Sequence, residues 1–304
     1  MELKQPRQPS LFKKRRAFKT ESFIYPEKID SSFPISLTLG LYKNFLSAHY
    51  SLFTVKAFIS DIRALARTIK DKKIGEITTD DLNFFLSSLK EKEQSQKTIS
   101  RRTTALKNYF NWLSKQKIIS YNPAEKIIYR RPVASLPQIL FEAEQKNLLE
   151  QASLNSRTYL LILLLLEAGL KKDELLNLEV KDIDISNQFR PEVWIRSKNP
   201  RKERRLKLPA EFTATYQNYL KEFRIREKLF EMSDRNLTYI LSDLRRRARI
   251  KKKITCQVLR DTFAVNQLKR GESIETVFKK LGLAPTSWNQ ETKEKYLKLS
   301  SPAL

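Results

Sequence analysis

The chain has 304 residues, which is long enough for two domains that each bury a hydrophobic core. Its 59 Lys and Arg residues against 34 Asp and Glu residues give a net charge of +25, and this excess predicts a polyanionic partner, with nucleic acid favoured over an acidic membrane surface. One cysteine, Cys256, and one histidine, His49, exclude an intramolecular disulfide, a Cys-rich zinc site and a His-dependent triad.

Residues 1–33 are predicted to form a flexible basic arm. They contain the cluster Lys13-Lys14-Arg15-Arg16 and several prolines that disfavour regular structure. Such a run is either a solvated tail or a source of non-specific phosphate contacts, and the sequence leaves both interpretations open.

Residues 34–128 are predicted to form a helical domain. Apolar residues recur at helical spacing between Val55 and Ile69, and a further helix starts near Thr98. The outer face of that later helix combines hydroxyl, guanidinium and ammonium groups, which suit contacts with a phosphate backbone, although a solvated face is the simpler alternative. The net charge favours DNA, and the predicted contacts are Thr98, Arg101, Arg102 and Lys107.

Residues 129–137 read as a linker, and residues 138–304 as a second, mixed domain. We expect helices near 142–151 and 157–168, with Gly169 capping the second of them. Two short strands are predicted at 193–195 and 204–208, joined by a basic turn, and mainly helices after Pro209. Arg204, at the start of the second strand, is a further predicted DNA contact. The longest apolar run is far shorter than the roughly 20 residues that cross a membrane.

The order of several segments resembles that of the tyrosine recombinases, the family of phage integrases and Xer-type resolvases. Segments 54–62, 98–106 and 122–124 resemble the helices and the exit of the family's core-binding domain. Segment 254–264 (ITCQVLRDTFA) and segment 294–300 (EKYLKLS) resemble the family's arginine motif and nucleophile segment. The resemblance implies a mainly α fold with a small β-hairpin or sheet in the C-terminal domain, in which a helical SAM-like core-binding domain precedes a catalytic domain.

The resemblance also implies a set of site residues. Tyr296 would be the nucleophile, and Arg260 a phosphate clamp. Lys171 occupies the position of the family's first arginine, and Lys198 best matches the lysine that acts as general acid. Because the hairpin turn is one residue longer than usual, Arg201 or Lys202 is an alternative to Lys198. Two further positions differ from the family, which has histidine at the position of Gln257 and histidine or tryptophan at that of Leu283.

The chemistry that the resemblance implies is strand exchange without metal or other cofactor. Tyrosine attacks a phosphodiester, giving a 3′-phosphotyrosyl link and a free 5′-hydroxyl that then attacks a partner strand. Cations would stabilise the charge on the non-bridging oxygens, and a general acid would protonate the leaving oxygen. Each named residue also has a simpler interpretation, as a packed tyrosine or a surface charge.

The leading hypothesis is therefore a site-specific DNA recombinase or integrase. Its expected partners are double-stranded DNA and further copies of the chain on that DNA, as a dimer or tetramer. The alternative is a recombinase-derived DNA-binding accessory or regulatory protein with weak or no catalysis. A basic helical protein with an RNA or ribosomal partner would require the matches to be accidental. We expect a cytoplasmic protein, associated with the nucleoid or a plasmid and without a membrane partner.

Overall fold

The computed structural model describes residues 29–127, 135–197, 199–284 and 286–301. The chain divides into two compact units, residues 1–134 and 135–304. Helices build the described part of the first unit, whereas the second combines helices with a three-stranded antiparallel sheet. The predicted fold class, mainly α with a small sheet in the C-terminal part, is confirmed.

Four helices make up the described part of the first unit, with a short 3-10 turn, Ile74–Glu76, between the second and third. Hydroxyl side chains at Ser51, Thr78 and Ser95 cap the later three helices by accepting a backbone N–H bond. The apolar faces pack around a cluster of buried aromatic rings that includes Tyr42. The helices are α1 (Ile35–His49), α2 (Leu52–Thr68), α3 (Thr79–Glu91) and α4 (Gln96–Lys115).

Residues 1–28 and 128–134, which include most of the predicted arm and linker, lie outside the described residues, so the predicted domain limits stay predictions. The end of the predicted arm differs from the flexible segment that we expected. Ile29 is buried, and the carbonyls of Ser31 and Phe33 each accept a 2.8 Å backbone hydrogen bond from the 3-10 turn. This short stretch is therefore part of the folded first unit.

The described part of the second unit contains eight helices and three strands. Its helices are α5 (Glu142–Ala152), α6 (Ser156–Glu167), α7 (Lys172–Leu176), α8 (Glu211–Glu222), α9 (Asp234–Arg247), α10 (Cys256–Lys269), α11 (Ile274–Leu281) and α12 (Ser287–Ser300). Its strands are β1 (Ile183–Asp184), β2 (Glu192–Ile195) and β3 (Arg204–Lys207). The two predicted strands are β2 and β3, whereas β1 has only two residues and was not predicted.

Helix α6 lies at the centre of the second unit. All its residues from Leu160 to Leu166 are buried, as expected of a helix that is apolar on every side. Helix α10 packs against α6, α11 and α12, so residues on different faces of α10 meet different neighbours. None of the helices in the described ranges combines the length and the hydropathy that crossing a membrane requires.

The sheet determines where the basic hairpin points. In β2, Val193 lies opposite Leu206, and Ile195 lies opposite Arg204. Because side chains alternate along a strand, Arg204 faces the interior together with Leu206. The hairpin therefore directs one arginine into the protein rather than towards solvent.

Gly169, which follows α6, allows a close approach to α10. Its φ of +59° lies in the left-handed region, as the predicted C-cap requires. A Cβ atom at this position would lie 2.4 Å from Cδ1 of the buried Phe263 ring. The contact brings the chain that leads into α7 directly against α10.

We expect Gly169→Ala to destabilise the second unit more than the matched variant Gly271→Ala. Both glycines have a positive φ, but a Cβ atom at Gly271 meets no atom within 4 Å. Each variant should therefore carry a backbone cost of about 1 kcal/mol, whereas Gly169→Ala should add about 2 kcal/mol for overpacking against Phe263. Denaturant unfolding of the full chain measures both, and equal free energies of unfolding would contradict this account.

Candidate functional site

The turn between α6 and α7 carries Lys171, which is predicted to occupy the position of a phosphate-binding arginine. The Lys171 backbone N–H donates to Oε2 of Glu174 at 2.9 Å, which fixes the start of α7. Its side chain is half-buried. Burial, followed by the nearby charge of Arg260, lowers the pKa of Lys171 below its usual value. The ammonium group thus lies close to a second cation, an arrangement that an anion would stabilise.

Arg260 of α10 is held rigidly in the interior. It is 3% exposed, and its guanidinium donates to the carbonyl oxygens of Gly169 and Leu281. Its Nη1 lies 3.9 Å from Oε2 of Glu174. Burial lowers the pKa of Arg260, and the Glu174 carboxylate opposes that shift. Two backbone carbonyls therefore orient the guanidinium before any ligand arrives.

Arg204 supports this arrangement from β3. Its guanidinium forms a bidentate pair with Glu174, at 3.0 Å and 2.9 Å, and also donates to the carbonyls of Lys202 and Lys280. Burial acts to raise the pKa of Glu174, but the hydrogen bonds and charge of Arg204, the backbone N–H of Lys171 and the charge of Arg260 together outweigh it, and the pKa is lowered. We had expected Arg204 to contact DNA. Only 5% of its side chain is exposed, because β3 turns it inward, so its guanidinium is used within the protein.

Tyr296 of α12 is also buried, at 2% exposure. Its hydroxyl donates to Oδ1 of Asp261 at 2.6 Å, and the side-chain amide of Gln257 donates to the same oxygen at 2.8 Å. Burial raises the pKa of both Asp261 and Tyr296. Since Asp261 directly follows Arg260, α10 presents the candidate clamp and the partner of the candidate nucleophile side by side.

A basic cleft of about 470 Å³ opens beside these residues, between α7, α9 and the start of α10. Lys171, Gln257 and Arg260 line it together with further cations, so a phosphate group could enter next to the candidate clamps. The other basic residues that line it are Lys172, Arg245 and Lys253.

The predicted general acid, Lys198, lies outside the described residues, and its position stays a prediction. Of its alternatives, Lys202 is exposed, and its charge is one of the smaller contributions that lower the pKa of Lys171, after burial and the charge of Arg260. Leu283 is half-buried and packs with the apolar cluster that surrounds Tyr296. The structure thus brings together Lys171, Arg260, Gln257 and Tyr296.

The predicted DNA contacts of α4 also have partners inside the first unit. Arg101 pairs with Asp61, which is 2% exposed, and Nε of Arg102 lies 3.5 Å from the same carboxylate. The Thr98 hydroxyl lies 2.9 Å from that of the capping residue Ser95. Lys107 is half-buried. Arg101 remains 42% exposed, so its pairing with Asp61 leaves it accessible to a ligand.

Sequence reasoning did not identify Glu174 and Asp261 and gave Arg204 a different role. Weak signals existed for all three. Glu174 lies three residues after Lys171, and Asp261 lies four residues after Gln257, spacings that place side chains on one helix face. Arg204 alternates in phase with Leu206, which predicts an inward orientation.

Comparison with known proteins gives a consistent picture. The profile described as the phage integrase N-terminal SAM-like domain matches residues 39–117, and that of the phage integrase family matches residues 134–296, more than half of the chain. A tyrosine recombinase XerC of Listeria welshimeri is 27% identical, covering 80% of this chain and 87% of that protein. A tyrosine recombinase of Pseudothermotoga lettingae is 28% identical, covering 75% and 82%.

Solved structures share the fold. A lambda integrase dimer bound to a COC′ core site has a TM-score of 0.71 at 14% identity, covering 90% of this chain and 78% of that one. The XerH recombinase bound to a palindromic difH substrate, in a post-cleavage complex, has a TM-score of 0.70 at 18% identity, covering 91% and 96%. On the strength of the two profile matches, this chain belongs to the phage integrase family.

Proposed function

We propose that the chain is a site-specific DNA recombinase that exchanges strands through a 3′-phosphotyrosyl intermediate on Tyr296. One observation carries the proposal. Arg260 of α10 has its guanidinium oriented by the carbonyls of Gly169 and Leu281, and the next residue, Asp261, accepts the hydroxyl of Tyr296 from α12. One helix thereby carries the candidate phosphate clamp and the group that holds the candidate nucleophile, which fixes both as phosphoryl transfer requires.

The proposed roles follow from the charges. Arg260 and Lys171 bind the non-bridging oxygens of the scissile phosphate, since both cations line the same cleft. Lys198 protonates the leaving 5′ oxygen, with Lys202 as the alternative donor. Arg204 and Glu174 are positioning residues, since they pair with each other and Glu174 in turn faces Arg260 at 3.9 Å.

The proposed partners are duplex DNA and further copies of the chain on that DNA. The net charge of +25 favours DNA binding. The proposed DNA contacts lie on one face of α4 and are Thr98, Arg101, Arg102 and Lys107. The relatives named recombinases and the DNA-bound integrase and XerH structures support this proposal. The protein would act in the cytoplasm, on nucleoid or plasmid DNA.

For DNA binding, we expect Arg101→Ala to make the log–log dependence of affinity on salt shallower by about 0.9 for one lost phosphate contact. Because the variant also removes a partner of buried Asp61, it should be measured both in the wild-type protein and in an Asp61→Asn background. The loss of thermal stability should shrink in that background, whereas the change of slope should persist. An unchanged slope in both backgrounds would remove Arg101 from the interface.

For the clamp, we expect Lys171→Arg to accelerate DNA cleavage, because a guanidinium contacts two phosphate oxygens at once. The gain should be about tenfold, equivalent to about 1.4 kcal/mol of transition-state stabilisation. Lys181→Arg, an exposed lysine paired with Glu179, is the matched control and should leave the rate unchanged. A slower Lys171→Arg protein would show that the site is adapted to lysine.

For the nucleophile, we expect a nicked duplex, chosen from a random library by its binding to the full chain, to trap a covalent adduct that survives denaturant. Tyr296→Phe should abolish the adduct and retain binding, because it removes only the attacking hydroxyl. Tyr219→Phe is the matched control, since Tyr219 is equally buried and its hydroxyl donates to the Leu229 carbonyl at 2.7 Å. Tight binding without an adduct would instead favour a non-catalytic DNA-binding protein.

A further inference from the structure

The hydroxyl of Tyr296 has an unusual partner for a buried tyrosine. Tyr219, which is as deeply buried, donates its hydroxyl to a neutral backbone carbonyl. Tyr296 donates instead to the ionisable carboxylate of Asp261, at 2.6 Å. A packing role requires only that the hydroxyl be satisfied, and a carbonyl would serve at a lower desolvation cost than a buried carboxylate.

The hydrogen bonds of Asp261 show which of its oxygens faces the tyrosine. Its Oδ1 accepts both the Tyr296 hydroxyl and the amide of Gln257, so that oxygen carries no proton of its own and is placed to receive one from Tyr296. Gln257 and Asp261 lie one helical turn apart on α10, which lets the amide orient the carboxylate. Burial raises the pKa of Asp261 and makes its carboxylate a stronger base, while the hydrogen bonds from Tyr296 and Gln257 and the positive charge of Arg260 oppose that shift.

We propose that Asp261 is the catalytic base that takes the proton of Tyr296, and that Gln257 is the positioning residue that aims it. The inference rests on the proposed recombinase function and specifies how its nucleophile is activated. Gln257 stands where the family has a histidine, and an amide cannot accept a proton near neutral pH. A carboxylate one turn further along the same helix can.

The proposed step is balanced in atoms and charge. The Tyr296 O–H bond breaks, and its proton moves to Oδ1 of Asp261 as the phenolic oxygen forms a bond to phosphorus. The bond from phosphorus to the 5′ oxygen breaks, and that oxygen takes a proton from the lysine proposed as general acid. In the reverse direction, the 5′-hydroxyl attacks phosphorus and gives its proton back to that lysine, the bond from phosphorus to the Tyr296 oxygen breaks, and Asp261 returns its proton to Tyr296.

The test measures how fast the Asp261→Asn variant forms the adduct on the selected nicked duplex. Asparagine has nearly the same size as aspartate but cannot accept the proton. We expect a loss of about 100-fold or more, typical of a missing general base, with DNA affinity and the unfolding midpoint retained. Asp182→Asn is the matched control, because it neutralises another aspartate of the second unit that is 5% exposed, and its rate should stay at the wild-type value.

Two readouts separate a base from a structural support. Formate should raise the rate of Asp261→Ala about tenfold or more by replacing the missing carboxylate, and should not help Tyr296→Phe. A duplex with sulfur in place of the bridging 5′ oxygen needs no proton on its leaving group. It should therefore restore the rate of adduct formation in a Lys198→Ala variant but not in Asp261→Asn. Gln257→Leu should slow the wild-type protein and have no further effect in the Asp261→Asn background.

The outcomes also separate this inference from the proposed function. Suppose that the wild-type protein forms the adduct. If Asp261→Asn then forms it equally fast, or if formate fails to raise the rate of Asp261→Ala, the role of Asp261 is overturned and the recombinase function stands. A faster Asp261→Asn protein would mean that the carboxylate restrains Tyr296, which also overturns the proposal. Tight binding with no wild-type adduct would overturn both.

Discussion

The half-buried carboxylate of Glu174 makes the interactions on which the rest of the site depends. It accepts two hydrogen bonds from Arg204 of β3, caps α7 through the backbone of Lys171, and faces Arg260 of α10 at 3.9 Å. Buried charges are tolerated only when they are paired. Loss of this one carboxylate would leave two guanidinium groups buried together, at a cost of about 3–5 kcal/mol for a broken buried pair.

The single negative charge of Glu174 does not neutralise the cations around it. Lys171, Arg204 and Arg260 surround one Glu174 carboxylate, and the pKa values of Lys171 and Arg260 are lowered by burial and by their neighbours. In a half-buried cleft, such repulsion is weakly screened. A phosphodiester that enters the cleft would reduce the repulsion between these cations, so this arrangement favours the binding of an anion.

The sequence was sufficient to predict most of the fold, because local patterns carry it. Helical spacing located α2 and α4, and β-type alternation located β2 and β3. The segments around Arg260 and Tyr296 each resemble a family motif, and the roles of both residues stay predictions. The contacts of Arg204 and Asp261 were not predicted, because their partners lie 30 and 35 residues away along the chain. Such pairings depend on how α7, β3, α10 and α12 pack, and the length of the hairpin turn still leaves the register of Lys198 to be tested.

The departures from the family pattern on α10 can be understood together rather than as separate losses. A histidine at position 257 could accept a proton itself, whereas Gln257 can only donate or accept hydrogen bonds. The amide nevertheless contacts Asp261, whose carboxylate already receives the hydroxyl of Tyr296. Burial makes that carboxylate more basic, while its hydrogen bonds and the charge of Arg260 favour the ionised form. The proposed proton acceptor therefore lies one helical turn further along α10, and the proposed nucleophile is unchanged.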